Sequence, residues 1–164
     1  MEIRKNTPLP VILEIARPCR KVDECCKVKT CCEFGSGMLI ASDIPKIAAY
    51  LGISEELLKD NLLERVTRLN RVMYRPRLLR KGKPYGPCVF FDKEQRCTIH
   101  EVKPLQCRTA LCNEKGPALE QWFALNYILD REDGAALAEW KQYLKQNPPI
   151  PGGSIGELKK EKKG

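Results

Sequence analysis

The chain has 164 residues, 43% of them hydrophobic, a formal net charge of +8 and nine cysteines. That length supports a domain with a real core, while no apolar run approaches the roughly 20 residues that a bilayer span needs. Glu2, Pro8, Pro10 and Glu14 interrupt the N-terminus and make it a poor secretion signal, so we expect a cytoplasmic protein without membrane association, its thiols kept reduced.

In chain order, residues 11–15 read as an edge strand and "GMLIA" (37–41) as a short buried strand. "SDIPKIAAYLG" (42–52) predicts a helix, with Ser42 or Asp43 as cap, Pro45 in the first turn and Gly52 at its end. A second helix is expected after Ser54, with Leu58, Leu62, Val66, Leu69 and Met73 as its buried stripe and Pro76 as its stop. Arg68, Arg71 and Arg75 would then form a solvated helix face. "KGKPYGP" (81–87) is a turn-rich loop, and "CVFFDKEQRCTI" (88–99) predicts a hairpin with Cys88 and Cys97 at its open ends. Leu119, Trp122, Phe123 and Tyr127, then Leu137, Trp140 and Leu144, recur at helical spacing over 117–146, with Gly134 breaking the run. Residues 147–164 lack periodicity and read as a flexible basic tail. The fold class expected is α+β and mainly helical: one small Cys-rich, metal-centred domain over 1–146, with a short hairpin and several packed helices.

The cysteines carry the chemistry. They fall into two clusters, Cys19, Cys25, Cys26, Cys31 and Cys32, then Cys88, Cys97, Cys107 and Cys112, with none in 33–87. Distant clusters in a reducing compartment point to a shared metal centre more than to disulfides or inert core thiols, and the odd total would leave one cysteine unpaired. The metal-ligand candidates are Cys25, Cys26, Cys31, Cys32, Cys88, Cys97, Cys107 and Cys112. Soft thiolates select zinc, copper(I) or iron–sulfur centres. No C-x-x-C knuckle occurs. Side chains of adjacent cysteines such as Cys31 and Cys32 diverge, which suits a larger cluster better than one small ion. The spacing therefore favours an iron–sulfur cluster, [4Fe–4S] in type, over a zinc or iron ion. Lys27, Lys29 and Arg108 can offset thiolate charge or simply be surface cations.

"CTIHEVKPLQCR" (97–108) resembles the signature C-x-I-Y-x-x-R-P-x-x-C-R of the CxxCxxCC, or YkgJ-like, family of zinc- or iron-chelating cysteine-cluster domains. Cys88 in "PCVFF" matches the hairpin cysteine that precedes this motif, Cys31–Cys32 the family's Cys-Cys pair, and 43–54 its D-I-x-x-I-A-x-x-L-G-I-S segment. The resemblance covers about residues 25–112. The leading C-x-x-C is not cleanly present, His100 stands for the family's Tyr, Lys103 for its Arg, and "TALC" for the usual Phe-Pro after Cys107–Arg108, adding Cys112. At the Tyr position, the single histidine is expected to pack or hydrogen-bond rather than ligate.

The resemblance implies a metal-binding protein serving electron transfer or metal handling. The family also includes flagellin lysine methylases, which makes a methyltransferase-like enzyme an alternative, although no Gly-rich S-adenosylmethionine fingerprint and no C-x-x-x-C-x-x-C motif is present. A further alternative is a nucleic-acid-binding module, because residues 65–83 hold eight basic residues and no acidic one. A protein partner is equally compatible with that charge.

Overall fold

The computed structural model describes residues 1–20 and 31–161. It is mainly helical with two small antiparallel hairpins, the α+β class expected. The first helix, α1 (Leu9–Ile15), replaces the edge strand expected over 11–15. Pro10 sits in its first turn, where a missing N–H costs nothing, and Leu9, Ile12, Leu13 and Ala16 recur at helical spacing on the core side. α2 (Asp43–Leu51) ends at Gly52, whose φ of 68° is the left-handed cap. α3 (Glu55–Asn61) starts at Ser54, whose hydroxyl accepts from the Leu57 N–H at 3.1 Å.

The long helix expected from Ser54 to Pro76 is overturned. The chain leaves α3 and forms β1 (Leu63–Arg68) and β2 (Arg71–Pro76), paired antiparallel with Arg68 opposite Arg71. The connection is the two-residue turn Leu69–Asn70, with φ of 50° and 56°. Positive φ at both positions gives the twist that fits a tight hairpin. Arg68 and Arg75 consequently do not form a free basic face. Arg68 pairs with Glu120 at 3.2 Å, and Arg75 joins Arg80 on Glu64, at 3.0 and 2.6 Å.

Glu64 also accepts the Leu78 N–H at 2.9 Å. These donors, the Arg80 guanidinium foremost, lower its pKa from the ordinary 4.5 to about 2. A depressed carboxylate contributes stability above its unfolded pKa, and that stability is lost as pH falls through the folded one. Discounted for its partly solvated partners, this should amount to about 1–2 kcal/mol. Glu64→Gln should therefore melt lower than the parent at pH 7 and converge with it near pH 2 in a pH series of thermal melts. A constant difference across that range would show that charge is not what Glu64 contributes.

After the loop, β3 (Phe91–Asp92) and β4 (Arg96–Cys97) form the second hairpin. It is shorter than expected: Phe91, not Cys88, stands opposite Cys97. Cys88 is instead bridged to Leu78. α4 (Leu105–Arg108) follows, then α5 (Gly116–Phe123), which continues as a π-helical turn, Ala124–Ile128. α6 (Gly134–Leu144) begins at Asp133, whose side chain accepts from the Ala135 and Ala136 N–H groups. Gly134 thus opens a helix after a break at 129–133.

The C-terminal segment is folded through Glu161, contrary to the flexible tail expected from 147. α7 (Ile155–Glu161) buries Leu158 to 1% exposure. Ser154 and Glu157 form a reciprocal capping box: the Glu157 N–H donates to the Ser154 hydroxyl at 3.2 Å and Glu157 accepts from the Ser154 N–H at 3.4 Å. Buried Gln121 bonds the Pro148 carbonyl and the Ile150 N–H, and the Trp140 indole donates to the Gly153 carbonyl. Leu158→Ala should cost about 2–4 kcal/mol and lower the melting temperature by several degrees. A melt indistinguishable from the parent would return this segment to a dispensable tail.

Two core clusters result. One joins α1 to the C-terminal helices around Ile12, Trp122, Phe123, Trp140 and Leu158, and includes Met38, Met73 and Leu105. The other packs Ile47, Leu58, Leu63, Cys88, Phe90 and Ile99 with Leu39. Neighbouring Met38 and Leu39 enter different clusters, so the segment 36–40 lies at their junction. Among the described residues no helix is long and apolar enough to cross a membrane.

Candidate metal centre

Four cysteines from four segments meet at that junction. Cys32 lies in the 3-10 turn Cys31–Glu33, and its carbonyl accepts the Cys88 N–H at 2.7 Å. That bond ties the first cysteine segment to the strand-like stretch that carries Cys88. Gly86 permits the approach of this stretch to the preceding loop, since a Cβ there would lie 2.3 Å from the Leu79 carbonyl oxygen. Cys97 ends β4. Its hairpin turn is ordered by the Asp92 carboxylate, which accepts from the Glu94 and Gln95 N–H groups, and by Arg96 at a φ of 67°. Cys107 lies in α4, and the helix is fixed from outside by Asp43. This buried carboxylate accepts the Ile40 N–H at 2.9 Å and the Leu105 N–H at 3.3 Å, so it joins the start of α2 to the start of α4.

The thiols sense one another. The Cys32 and Cys97 side chains lie close enough to perturb one another, with Cys32 pushed up and Cys97 brought down. Burial raises Cys88 to about 11 and Cys107 to about 12, and the neighbouring cysteines push the same way. Clustered thiols resist ionisation in a poorly solvated site because each new charge repels the others. Three features oppose this. Backbone N–H groups lower the pKa of three sulfurs: Phe90 that of Cys88, Ile99 that of Cys97 and Gly37 that of Cys107. Lys103, only 7% exposed, lowers both Cys97 and Cys107 electrostatically. Gly37 carries no side chain against the sulfur, and a Cβ there would lie 2.6 Å from Cys107 Sγ.

Soft sulfur donors, N–H groups aimed at them and a buried cation are the chemistry of a thiolate metal site. The thiols do not close on a point, however. Among the described residues no three His, Cys, Asp or Glu side chains are gathered tightly enough to hold a single ion. Cys32, Cys97 and Cys107 instead border a cavity of about 540 Å³, which His100 and Lys103 also line and which Leu119 and Phe123 floor.

Of the other candidates, Cys112 is exposed. Cys25 and Cys26 lie outside the described residues, as does the side chain of Cys31. His100 borders the cavity in the 3-10 turn His100–Val102. Sequence reasoning missed Gly37 and the three N–H donors. The "GSG" at 35–37 was the available signal for the first; backbone donors leave no residue-type signature.

A family profile described as "Putative zinc- or iron-chelating domain", CxxCxxCC, matches residues 18–125. No curated protein and no solved structure matches the chain. The profile spans more than half of the sequence and contains all four gathered cysteines, and the chain belongs to the CxxCxxCC family.

Proposed function

We propose that this family member binds a [4Fe–4S] cluster through Cys32, Cys88, Cys97 and Cys107 and serves electron transfer or metal handling. The observation that carries this reading is the arrangement of the thiols: of the four cysteines, Cys32, Cys97 and Cys107 border a cavity of about 540 Å³, and among the described residues no three ligating side chains close on an ion-sized point. A tetrahedral zinc site needs each sulfur about 2.3 Å from one ion. An iron–sulfur cluster takes four thiolates from separated segments and spreads them over its own volume. When bound, such a cluster supplies one-electron chemistry or a store of iron. The chain's residues would hold it, shield it and set its potential. The N–H groups of Phe90, Ile99 and Gly37 favour the charged sulfurs, and Lys103 lowers the cost of placing negative charge at Cys97 and Cys107.

The test is anaerobic purification followed by absorption spectroscopy and elemental analysis. A broad band near 400 nm, with about four iron and four sulfide per chain, is the expected result. A colourless protein carrying one zinc per chain would replace the cluster with a mononuclear site.

A further inference from the structure

The basic stretch 65–83 divides into two kinds of cation. Arg68, Arg75 and Arg80 are held by Glu120 and Glu64, and Arg71 donates to the Tyr127 carbonyl at 3.1 Å. These four are structural. Arg65, Arg77, Lys81 and Lys83 have no carboxylate partner among the described residues. Three of them lie in the segment 77–85, whose exposed side chains also include Leu79 and Tyr85. Tyr85 is 47% exposed and meets Phe34, 60% exposed, with ring centroids 6.3 Å apart and planes inclined at 50°. Lys83 Nζ stands 5.7 Å from the Tyr85 centroid. One exposed acid, Glu33, precedes Phe34.

Two large rings left open to solvent beside uncompensated lysines form a surface with two unmet requirements: a flat apolar partner for the rings and negative charge for the cations. An acidic peptide would meet the second and leave the ring faces unmatched. Duplex nucleic acid keeps its bases stacked inside. A single strand presents both bases and phosphates, and exposed aromatic faces next to Lys and Arg are the chemistry that binds it without strong sequence preference. The net charge of +8 favours the same polyanion at long range.

We propose that Phe34 and Tyr85, with Arg77, Lys81 and Lys83, form a platform for single-stranded nucleic acid. The platform does not depend on which metal the cysteines hold.

Fluorescence anisotropy of the full-length protein with a labelled oligouridylate of about 20 nucleotides, over a sodium chloride series, tests this. Binding should weaken linearly in log–log form with salt. Lys81→Gln with Lys83→Gln should reduce that slope by about 1.4, at about 0.7 per phosphate contact on a single strand. Phe34→Ala with Tyr85→Ala should raise Kd at least about fivefold with the slope unchanged, as loss of stacking requires. These side chains are exposed, so circular dichroism and melting temperature should stay at parental values. The proposal is overturned by a lack of binding at low salt, by a duplex of equal length binding as tightly, or by ring variants that bind like the parent. Polyglutamate competing as well as oligouridylate would reassign the surface to acidic proteins and overturn it equally.

Discussion

Cys107→Ser and Cys97→Ser should each leave the purified protein without metal and lower its melting temperature by about 8–16 °C. The estimate follows from linkage. A ligand that binds only the folded state stabilises it by about 4 kcal/mol at a thousandfold excess over Kd, and a chain of this size gains about 2–4 °C per kcal/mol. The structure explains why a single ligand matters so much. Cys32, Cys88, Cys97 and Cys107 come from four separate segments, so a shared centre cross-links loops that are otherwise joined by few bonds, such as the Cys88 N–H to the Cys32 carbonyl. In chelator-treated protein the same substitutions exchange a thiol for a hydroxyl and should shift the melt by only a few degrees. The holo-minus-apo difference is therefore the measurement. Cys112→Ser is the comparison, because that side chain is exposed and the proposed ligand set does not include it. If it lost as much metal as Cys107→Ser, the ligand set drawn here would be wrong.

The expected helix running to Pro76 shows how a correct list of buried residues can suggest the wrong element. Val66 and Met73 were assigned to one helical stripe and do enter the core. They do so as direct cross-strand partners in a hairpin. Seven-residue spacing fits two helical turns, and it equally fits two positions symmetric about a two-residue turn. The deciding signals were local: Asn70, a residue that tolerates left-handed backbone, between strands containing the β-branched Val66, Thr67 and Val72. At the C-terminus the basic composition obscured Ser154-x-x-Glu157, a capping box, and the apolar anchors Ile150 and Leu158.

In the site, the cysteine motif was legible because thiols spaced in this way serve little else. The apolar run and turn residues of 88–99 were enough to anticipate a hairpin there, though not its short register, in which Phe91 rather than Cys88 faces Cys97. Three features that make the thiols competent were not legible. N–H groups exist at nearly every residue, so nothing in the letters marks Phe90, Ile99 or Gly37 as donors to sulfur. The union of α2 with α4 through Asp43 depends on a contact between residues 62 positions apart. Lys103, read as a departure from the family's Arg, is a buried cation that favours the thiolates of Cys97 and Cys107.

Gly37→Ala should abolish the metal centre while leaving the chain folded. A Cβ at Gly37 would stand 2.6 Å from Cys107 Sγ, against the 3.4 Å at which ordinary contact begins, so the sulfur or the segment must give way by about 0.8 Å. Metal–ligand distances tolerate only about 0.2 Å. The backbone conformation at Gly37 is not the constraint, because its φ lies outside the left-handed region where Gly52, Gly82 and Gly152 sit. The constraint is space beside the sulfur. The Cβ also approaches Gln106 Cβ and the Cys107 nitrogen at 3.5 Å, so the chain has little room to rotate the methyl aside. In the metal-free protein this overpacking should cost about 1–3 kcal/mol, too little to unfold a typical domain. Metal per chain after reconstitution should fall to background, and alkylation of Cys107 should change rate as the sulfur moves. Gly35→Ala two residues earlier is the matched control, since no atom lies within 4 Å of its added Cβ. Full metal content in Gly37→Ala would mean either that Cys107 is not a ligand or that α4 yields freely, and Cys107→Ser, measured alongside, separates the two.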